Sequence, residues 1–89
     1  MKILRISAIW CPACLIMRPI YDEIANKYNL ETKELDFDFD ESEVETLNVG
    51  NTLPVAIIYD ENNKELKRIC GEKKLEQIEE IIKELLWKI

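Results

Sequence analysis

The first reactive group in the chain is a pair of cysteines separated by two residues. Cys11 and Cys14 occur in the stretch WCPAC, which precedes an apolar segment with helical spacing. The thiolate, not the thiol, is the nucleophile, and it is favoured where a helix begins, because unpaired N–H groups and the positive end of the helix dipole meet there. Pro12 suits the first helical position, which needs no N–H donor. The spacing predicts Cys11 at the mouth of a helix and Cys14 one turn later on the same side.

Two thiols in this arrangement can exchange with a disulfide. Cys11 would attack a substrate disulfide and form a mixed disulfide, which Cys14 would then resolve. Ala13 offers a thiolate neither charge nor a hydrogen bond, so the N–H groups of the helix must stabilise it. We therefore expect a reducing rather than an oxidising potential. Trp10 is expected to be partly exposed and to shield one side of the sulfur.

Metal binding is the competing interpretation of the same spacing. A Cys-x-x-Cys pair is half of a tetrahedral zinc site. The chain has no histidine and one further cysteine, Cys70, so a closed zinc site would need carboxylates or a second chain. The acidic stretch DFDFDESEVE at residues 36–45 lacks the glycine and the regular ligand spacing of a calcium loop. We interpret it as the solvated start of a helix and predict no bound metal.

Composition limits the class of protein and its partners. The 89 residues suit one domain spanning residues 1–89, and 47% hydrophobic and 34% charged residues are typical of a soluble globular chain. A formal net charge of −6 argues against nucleic acid as a partner, because no basic cluster would neutralise phosphates. No apolar run is long enough to span a membrane, and residues 1–10 lack the features of a signal peptide. Three cysteines make no secreted disulfide framework, so we expect a cytoplasmic protein.

Seven elements are predicted from the apolar patterns and the turn residues. The first strand, a crossover helix and the second strand should form a right-handed parallel unit, and the last two strands a hairpin. The predicted fold class is α/β, with the order β-α-β-α-β-β-α, a four-stranded mixed sheet and helices on both faces. The strands are expected at residues 2–7, 32–37, 54–60 and 65–70, and the helices at residues 12–28, 40–49 and 72–89. The predicted inner face of the last helix consists of Leu75, Ile78, Ile81, Ile82, Leu85 and Leu86.

Several of these features together resemble the thioredoxin family across nearly the whole chain. They are WCPAC after a strand, Pro19 five residues beyond the second cysteine, and the stretches YDEIANKY, ELDFDFDE, TLP and CGEKKLEQIEEIIKELL. The resemblance implies a thioredoxin fold of minimal length and a dithiol–disulfide oxidoreductase acting on protein disulfides, with Cys11 as the nucleophile and Cys14 as the resolving thiol. It also implies a redox-active Cys11–Cys14 disulfide, no bound cofactor, electrons from a flavin-dependent thioredoxin reductase, and a monomer.

The same resemblance assigns residues around the thiols to a substrate groove. In that family the proline at the position of Pro54 is cis and faces the cysteine pair, and the backbone before it binds the substrate. Thr52, Leu53 and Pro54 would form one wall, and Ile9 would extend the apolar rim. The implied groove residues are Trp10, Pro12, Thr52, Leu53, Pro54 and Gly71.

The electron donor separates the branches of the family. Glutathione-dependent members follow the hairpin with two glycines and an acidic pair, whereas this chain has CGEKK at residues 70–74, with one glycine, one acid and two lysines. A thioredoxin-type reductase of protein disulfides is therefore favoured. The short length and the proline directly after Cys11 are similar to glutaredoxins, so a glutathione-coupled reductase stays open as an alternative. A non-catalytic binding or metal-carrying module with the same fold is the third interpretation.

One position departs from the family. Most thioredoxins carry a buried aspartate on the first of these strands, beneath the second cysteine, and a lysine on the neighbouring strand. Alignment through WCPAC places Arg5 at the first position, and alignment through LDFD places Glu34 at the second. We hypothesise an Arg5–Glu34 pair in which Glu34 accepts the proton of Cys14, since a partly buried carboxylate can act as a general base. The alternative is that both side chains face solvent, because a one-residue slip in register would turn them outward.

The third cysteine, Cys70, has two interpretations. Statistics favour a buried and inert thiol at the end of a strand. The resemblance instead places the residue before Gly71 close to the groove, where a thiol could be modified or could form a regulatory disulfide. Burial decides between the two, because reactivity requires access to solvent.

Overall fold

A computed structural model describes residues 1–50 and 52–88 of the chain. Its elements are β1 (Lys2–Ser7), α1 (Pro12–Lys27), β2 (Glu31–Asp36), α2 (Glu41–Leu47), β3 (Val55–Tyr59), β4 (Glu65–Cys70) and α3 (Leu75–Lys88). The predicted order β-α-β-α-β-β-α is therefore confirmed. In the described part of the chain, no helix has both the length and the apolar character needed to cross a membrane.

The four strands form one mixed sheet in the order β2-β1-β3-β4. β1 runs parallel to β2 and antiparallel to β3, and β3 pairs with β4 as an antiparallel hairpin. The register places Arg5 directly between Glu34 of β2 and Ala56 of β3. The predicted parallel unit and hairpin are both present, and β1 is one of the two central strands.

α1 and α3 pack on one face of the sheet and build the first of two buried clusters. Ile78 and Ile82 of α3 are completely buried there, which agrees with the amphipathic pattern of that helix. Leu85 still packs against the cluster, but Leu86 is partly exposed, so the inner face of the last turn is narrower than predicted. The other buried members are Ile3, Met17, Tyr21, Ile24, Ala56, Ile58 and Ile69.

α2 covers the opposite face, where the second cluster is formed. Val44 of α2 packs there with Leu35 of β2 and with apolar residues of β1 and β3. Cys11, Cys14 and Leu53 belong to the same cluster. The two cysteines are therefore part of a hydrophobic core, and their positions depend on its packing.

The turn after β2 positions an acidic loop beside the start of α1. The Asp36 Oδ1 atom accepts hydrogen bonds from the N–H groups of Asp38 and Phe39, both at 2.9 Å. This turn ends β2 at Asp36, one residue before the predicted end. Asp40 is the N-cap residue of α2, but its side chain accepts from the Asp36 N–H at 2.8 Å instead of capping the helix.

Candidate active site

The two cysteines lie at the start of α1 and form a disulfide with a Cα–Cα separation of 5.3 Å. Cys11 is the N-cap residue, with an extended backbone, and Pro12 occupies the first turn as predicted. The Cys14 N–H donates a hydrogen bond to Cys11 Sγ at 3.2 Å, and the Cys11 N–H donates to the Ala8 carbonyl at 3.2 Å. Both cysteines are buried.

The start of α1 is suited to a thiolate on Cys11. A helix N–H group already points at Cys11 Sγ, and the positive end of the helix dipole lies beside it. The first turn of α1, which the structure describes in full, carries no acidic side chain that would oppose this charge. After reduction of the disulfide, these groups would favour the ionised form of Cys11 over that of an ordinary thiol.

The predicted groove wall is assembled from residues 52–54 and Gly71. Leu53 and Pro54 are buried, Thr52 is exposed, and the peptide bond between Leu53 and Pro54 is cis. The Gly71 N–H donates a hydrogen bond to the Pro54 carbonyl at 2.8 Å. Gly71 has a φ of +78°, and a Cβ added to it would lie 3.8 Å from Thr52 Cγ2. The structure thus brings these four residues together, and Leu53 shares a buried cluster with both cysteines.

The apolar rim next to the thiols consists of Ile9 and Trp10, which are both exposed, Trp10 by 59%. The indole Nε1–H of Trp10 donates to Asp38 Oδ2 at 2.7 Å, and the indole meets the ring of Phe37 edge to face at 6.1 Å. Asp38 therefore fixes the orientation of an exposed aromatic side chain beside Cys11. Sequence reasoning missed this role of Asp38, because the acidic stretch was interpreted only as a solvated helix start.

The predicted Arg5–Glu34 pair is wrong, although the two residues do lie opposite each other on β1 and β2. Arg5 Nη1 pairs with Asp22 Oδ1 at 3.0 Å, and Arg18 Nη2 pairs with Glu34 Oε1 at 3.2 Å. Arg5 and Glu34 are Cα neighbours across β1 and β2, so they lie on one face of the sheet, but each finds its partner on α1. The solvent-facing alternative is wrong for Arg5 as well, because its side chain is only 11% exposed.

Sequence reasoning also missed the two residues of α1 that form these ion pairs. Arg18 follows Cys14 by four residues and Asp22 follows Arg18 by four. Residues four apart lie on one side of a helix, so this spacing predicts both side chains on the Cys14 side of α1. The i, i+4 spacing of Cys14, Arg18 and Asp22 is therefore the sequence signal that could have identified them.

A cavity of about 280 Å³ opens beside Cys14 on this charged side. Arg18 and Glu34 line it, together with Asp36 and Asp40 from the acidic loop. A larger cavity of about 340 Å³ lies between the acidic loop and α2, and neither cysteine lines it. Because Cys14 lines the smaller cavity, this is the one that bears on the chemistry.

Comparison with known proteins assigns the chain to a family. The family model described as Thioredoxin matches residues 1–84. The chain belongs to the thioredoxin family. A solved structure of thioredoxin 1 from Thermosipho africanus is 26% identical, with 97% of this chain and 94% of that chain covered and a TM-score of 0.87. The cysteine spacing and the mixed sheet agree with this membership.

Further members of the thioredoxin family show the same fold. A structure of thioredoxin-2, described as a component of malaria parasite protein secretion machinery, is 25% identical, covers 93% of this chain and 81% of its own, and has a TM-score of 0.83. Thioredoxin O2 from Arabidopsis thaliana is 22% identical over 94% of this chain and 73% of its own, with a TM-score of 0.81. A search of curated protein sequences found no match.

Cys70 is a third cysteine of this thioredoxin-family chain, and the prediction that it is buried is wrong. It is a free, exposed thiol at the end of β4, directly before Gly71.

Tyr21 is buried, and its hydroxyl has no hydrogen-bond partner among the described residues. Burial above all, and then the negative charge of a Cys70 thiolate, raise the pKa of the Tyr21 hydroxyl, while Arg5 lowers it. Tyr21 therefore stays neutral at any physiological pH.

No metal site is assigned. Within residues 1–50 and 52–88, no three or more His, Cys, Asp or Glu side chains are grouped so that they could hold a metal ion. Asp36, Asp38 and Asp40 are instead engaged by backbone N–H groups or by the indole of Trp10.

Proposed function

We propose that this chain is a reductase of protein disulfides, in which Cys11 is the nucleophile and Cys14 the resolving thiol. Its membership of the thioredoxin family and its Cys11–Cys14 disulfide support thiol–disulfide oxidoreductase chemistry in general. The observation that carries the finer proposal is the position of Cys11 Sγ at the N-cap of α1, where it accepts the Cys14 N–H. A sulfur held in this way is stabilised as a thiolate and can attack a disulfide.

The proposed cycle transfers two electrons to the substrate. The Cys11 thiolate attacks one sulfur of the substrate disulfide, a Cys11–substrate bond forms, and the other substrate sulfur leaves as a thiolate that takes up a proton. Cys14 then loses its proton and attacks Cys11 Sγ, which releases the second substrate thiol. The substrate disulfide is reduced to two thiols, and the protein is oxidised to the Cys11–Cys14 disulfide.

The electrons that restore the dithiol would come from a flavin-dependent thioredoxin reductase. The lysines and the single glycine of residues 70–74 favour this donor over glutathione, because they replace the acidic pair and the second glycine that hold glutathione in relatives. We propose that the chain acts as a cytoplasmic monomer on protein substrates. Thr52, Leu53, Pro54 and Gly71 would form one wall of the docking groove, and Trp10 and Pro12 the other.

Trapping the intermediate tests this function. Reduced Cys14→Ser protein mixed with insulin is expected to form a stable mixed disulfide, because the second step is blocked while the first proceeds. Mass spectrometry of the digested adduct should assign the link to Cys11. The matched variant Cys11→Ser should form no adduct under the same conditions. A link to Cys70 instead, or equal adducts in both variants, would contradict the proposed roles.

The donor is tested with the wild-type protein and insulin as the substrate. Turnover is expected with NADPH and a flavin-dependent thioredoxin reductase. Glutathione with its own reductase is expected to support much slower turnover. Faster turnover with glutathione would assign the chain to the glutathione-coupled branch, and the absence of turnover with either donor would contradict reductase activity.

A further inference from the structure

The larger cavity, of about 340 Å³, lies between the acidic loop and α2 and has an apolar interior. Val44, which lines it, is buried, and Phe37 and Val49, which also line it, are half-buried. All three pack in the cluster that contains both redox cysteines. The cavity is at the lower end of the range for ligand pockets, roughly 300–1,000 Å³, so it suits a long side chain rather than a large cofactor.

Three acidic side chains surround this apolar interior at the surface. Asp38, Glu41 and Glu45 line the cavity and are exposed. Glu41 and Glu45 are four residues apart on α2, so they lie on one side of that helix. Among the described residues, neither of these two has a hydrogen-bond or ion-pair partner. The cavity therefore presents negative charge without a cation at the mouth of an apolar space.

The negative charge of the molecule is concentrated at this cavity. Residues 36–45 include six acids and no base, whereas the other 12 acids of the chain balance its 12 bases. Two nearby cations already have carboxylate partners. Lys33 pairs with Glu43 at 3.8 Å. Arg68, which donates to a backbone carbonyl of the cavity wall at 3.3 Å, pairs with Glu65. No lysine or arginine is among the described residues that line the cavity, so charge complementarity is left to another molecule.

The residues that hold Trp10 connect this cavity with the thiols. The Trp10 indole meets the Phe37 ring edge to face at 6.1 Å and donates to Asp38 Oδ2 at 2.7 Å. Phe37 and Asp38 also line the cavity, and Trp10 directly precedes Cys11 in the chain. A group in the cavity would therefore lie beside a disulfide presented to Cys11, so both can belong to one polypeptide.

We propose that this cavity binds a basic side chain, arginine or lysine, of the protein whose disulfide Cys11 attacks. The alkyl stem of that side chain lies on the apolar interior, and its charged end meets the carboxylates at the mouth, where water still reaches it. This inference rests on the proposed function and narrows its substrate class to disulfides with basic residues nearby. The cavity selects the substrate and leaves the chemistry of the two thiols unchanged.

Three peptides with the same intramolecular disulfide test this selection. Their flanks carry arginine, its neutral analogue citrulline, or glutamate, and each peptide is mixed with reduced wild-type protein for a single turnover. At low ionic strength, the arginine peptide should be reduced about tenfold faster than the citrulline peptide, and the glutamate peptide should be the slowest. Salt at about 0.5 M should lower the advantage of arginine to about twofold, because it screens exposed charges.

Two double variants separate the cavity from the net charge. Glu41→Gln combined with Glu45→Gln removes two carboxylates from the cavity. Glu43→Gln combined with Glu61→Gln removes two exposed carboxylates that do not line it, and changes the net charge equally. The first double variant should reduce the arginine peptide at least about fivefold more slowly than the wild type does and the citrulline peptide at an unchanged rate. The second should keep most of the preference for arginine.

The outcomes distinguish this inference from the proposed function. If the wild type reduces none of the peptides, the proposed function is wrong and the inference falls with it. If the wild type reduces all three at equal rates, the function stands and the cavity does not bind basic side chains. A preference for arginine that persists without Glu41 and Glu45, or that both double variants lose equally, would also overturn the inference. The preference would then come from the net charge and not from the cavity.

Discussion

The two sides of the Cys11–Cys14 pair are built in different ways. The groove side, residues 52–54 and Gly71, is held by burial of Leu53 and Pro54 and by one backbone hydrogen bond. The charged side consists of Arg5, Arg18, Asp22 and Glu34, which form two ion pairs between the sheet and α1. Asp22 and Arg18 are about half exposed, so each pair has at least one member in contact with solvent.

Because of this difference, the two sides should contribute unequally to the stability of the fold. Burial of apolar surface stabilises a fold substantially, whereas ion pairs with exposed members contribute little, because solvent screens the charges and the side chains lose freedom. Substitution of the buried residues on the groove side should therefore lower the free energy of unfolding markedly. The charged side should tolerate substitutions with little loss of stability, provided that they leave no buried charge without its partner.

Two leucines on opposite sides of the disulfide give the largest expected contrast. Leu53 is 8% exposed and belongs to the cluster that contains both cysteines, whereas Leu15 lines the charged-side cavity and is 61% exposed. We expect Leu53→Ala to lower the free energy of unfolding of the oxidised protein by about 2–3 kcal/mol. Leu15→Ala should change it by less than about 0.5 kcal/mol. Denaturant unfolding measures both, and similar losses for the two variants would remove the stated contrast.

Arg5→Met should have a smaller effect, and its direction is informative. Arg5 is nearly buried, and its Nε–H has no hydrogen-bond partner among the described residues. A methionine of similar length removes this desolvated guanidinium group. Asp22 then loses its partner but is half exposed to solvent, so no unpaired charge is left buried. We expect the free energy of unfolding to be unchanged or higher by about 1 kcal/mol.

The partner variant Asp22→Asn serves as the control for Arg5. It leaves the cation nearly buried and without its carboxylate, so it should lower the free energy of unfolding. If Arg5→Met lowered the free energy of unfolding more than Asp22→Asn does, the ion pair itself would stabilise the fold, as apolar burial does on the groove side.

The fold could be predicted because its elements follow simple patterns. β3 is buried on both faces, as the uninterrupted apolar run from Val55 to Ile58 indicates, and α3 places Ile78 and Ile82 at helical spacing. The ends of the elements were predicted less well, because local hydrogen bonds set them. α3 begins at Leu75 and not at residue 72, since the Gln77 side chain accepts the Lys74 N–H at 2.9 Å and closes the first turn there.

The candidate site could be predicted only where a short motif contains its chemistry. Cys11 and Cys14 lie within one helical turn, so their meeting follows from the sequence alone. The partners of Arg5 and Glu34 depend on how α1 packs over the sheet, and the sequence contains several acids and bases within reach. The exposure of Cys70 likewise depends on what covers the end of β4, which no local pattern specifies.

The ion pair between Lys27 and Glu79, which is remote from the thiols, should have the smallest effect on stability. Glu79 Oε2 accepts hydrogen bonds from Lys27 Nζ and, at 2.9 Å, from the Tyr28 hydroxyl. The hydrogen bond from Lys27, followed by that from Tyr28, holds the pKa of Glu79 below its ordinary value. A carboxyl whose pKa is lower in the folded state stabilises the protein above its unfolded pKa of about 4.3, and this contribution is lost as the pH falls through the folded value.

Glu79→Gln should therefore lower Tm slightly at pH 7, and the difference from the wild type should shrink below about pH 4.3 and vanish once the pH has fallen through the lowered folded pKa of Glu79. The matched control is Glu80→Gln, at an exposed position inside the same helix with no hydrogen-bond or ion-pair partner among the described residues, which should leave Tm at pH 7 unchanged. An equal loss of Tm in both variants would mean that net charge, and not the hydrogen bonds from Lys27 and Tyr28, causes the effect, because the two variants change the net charge equally.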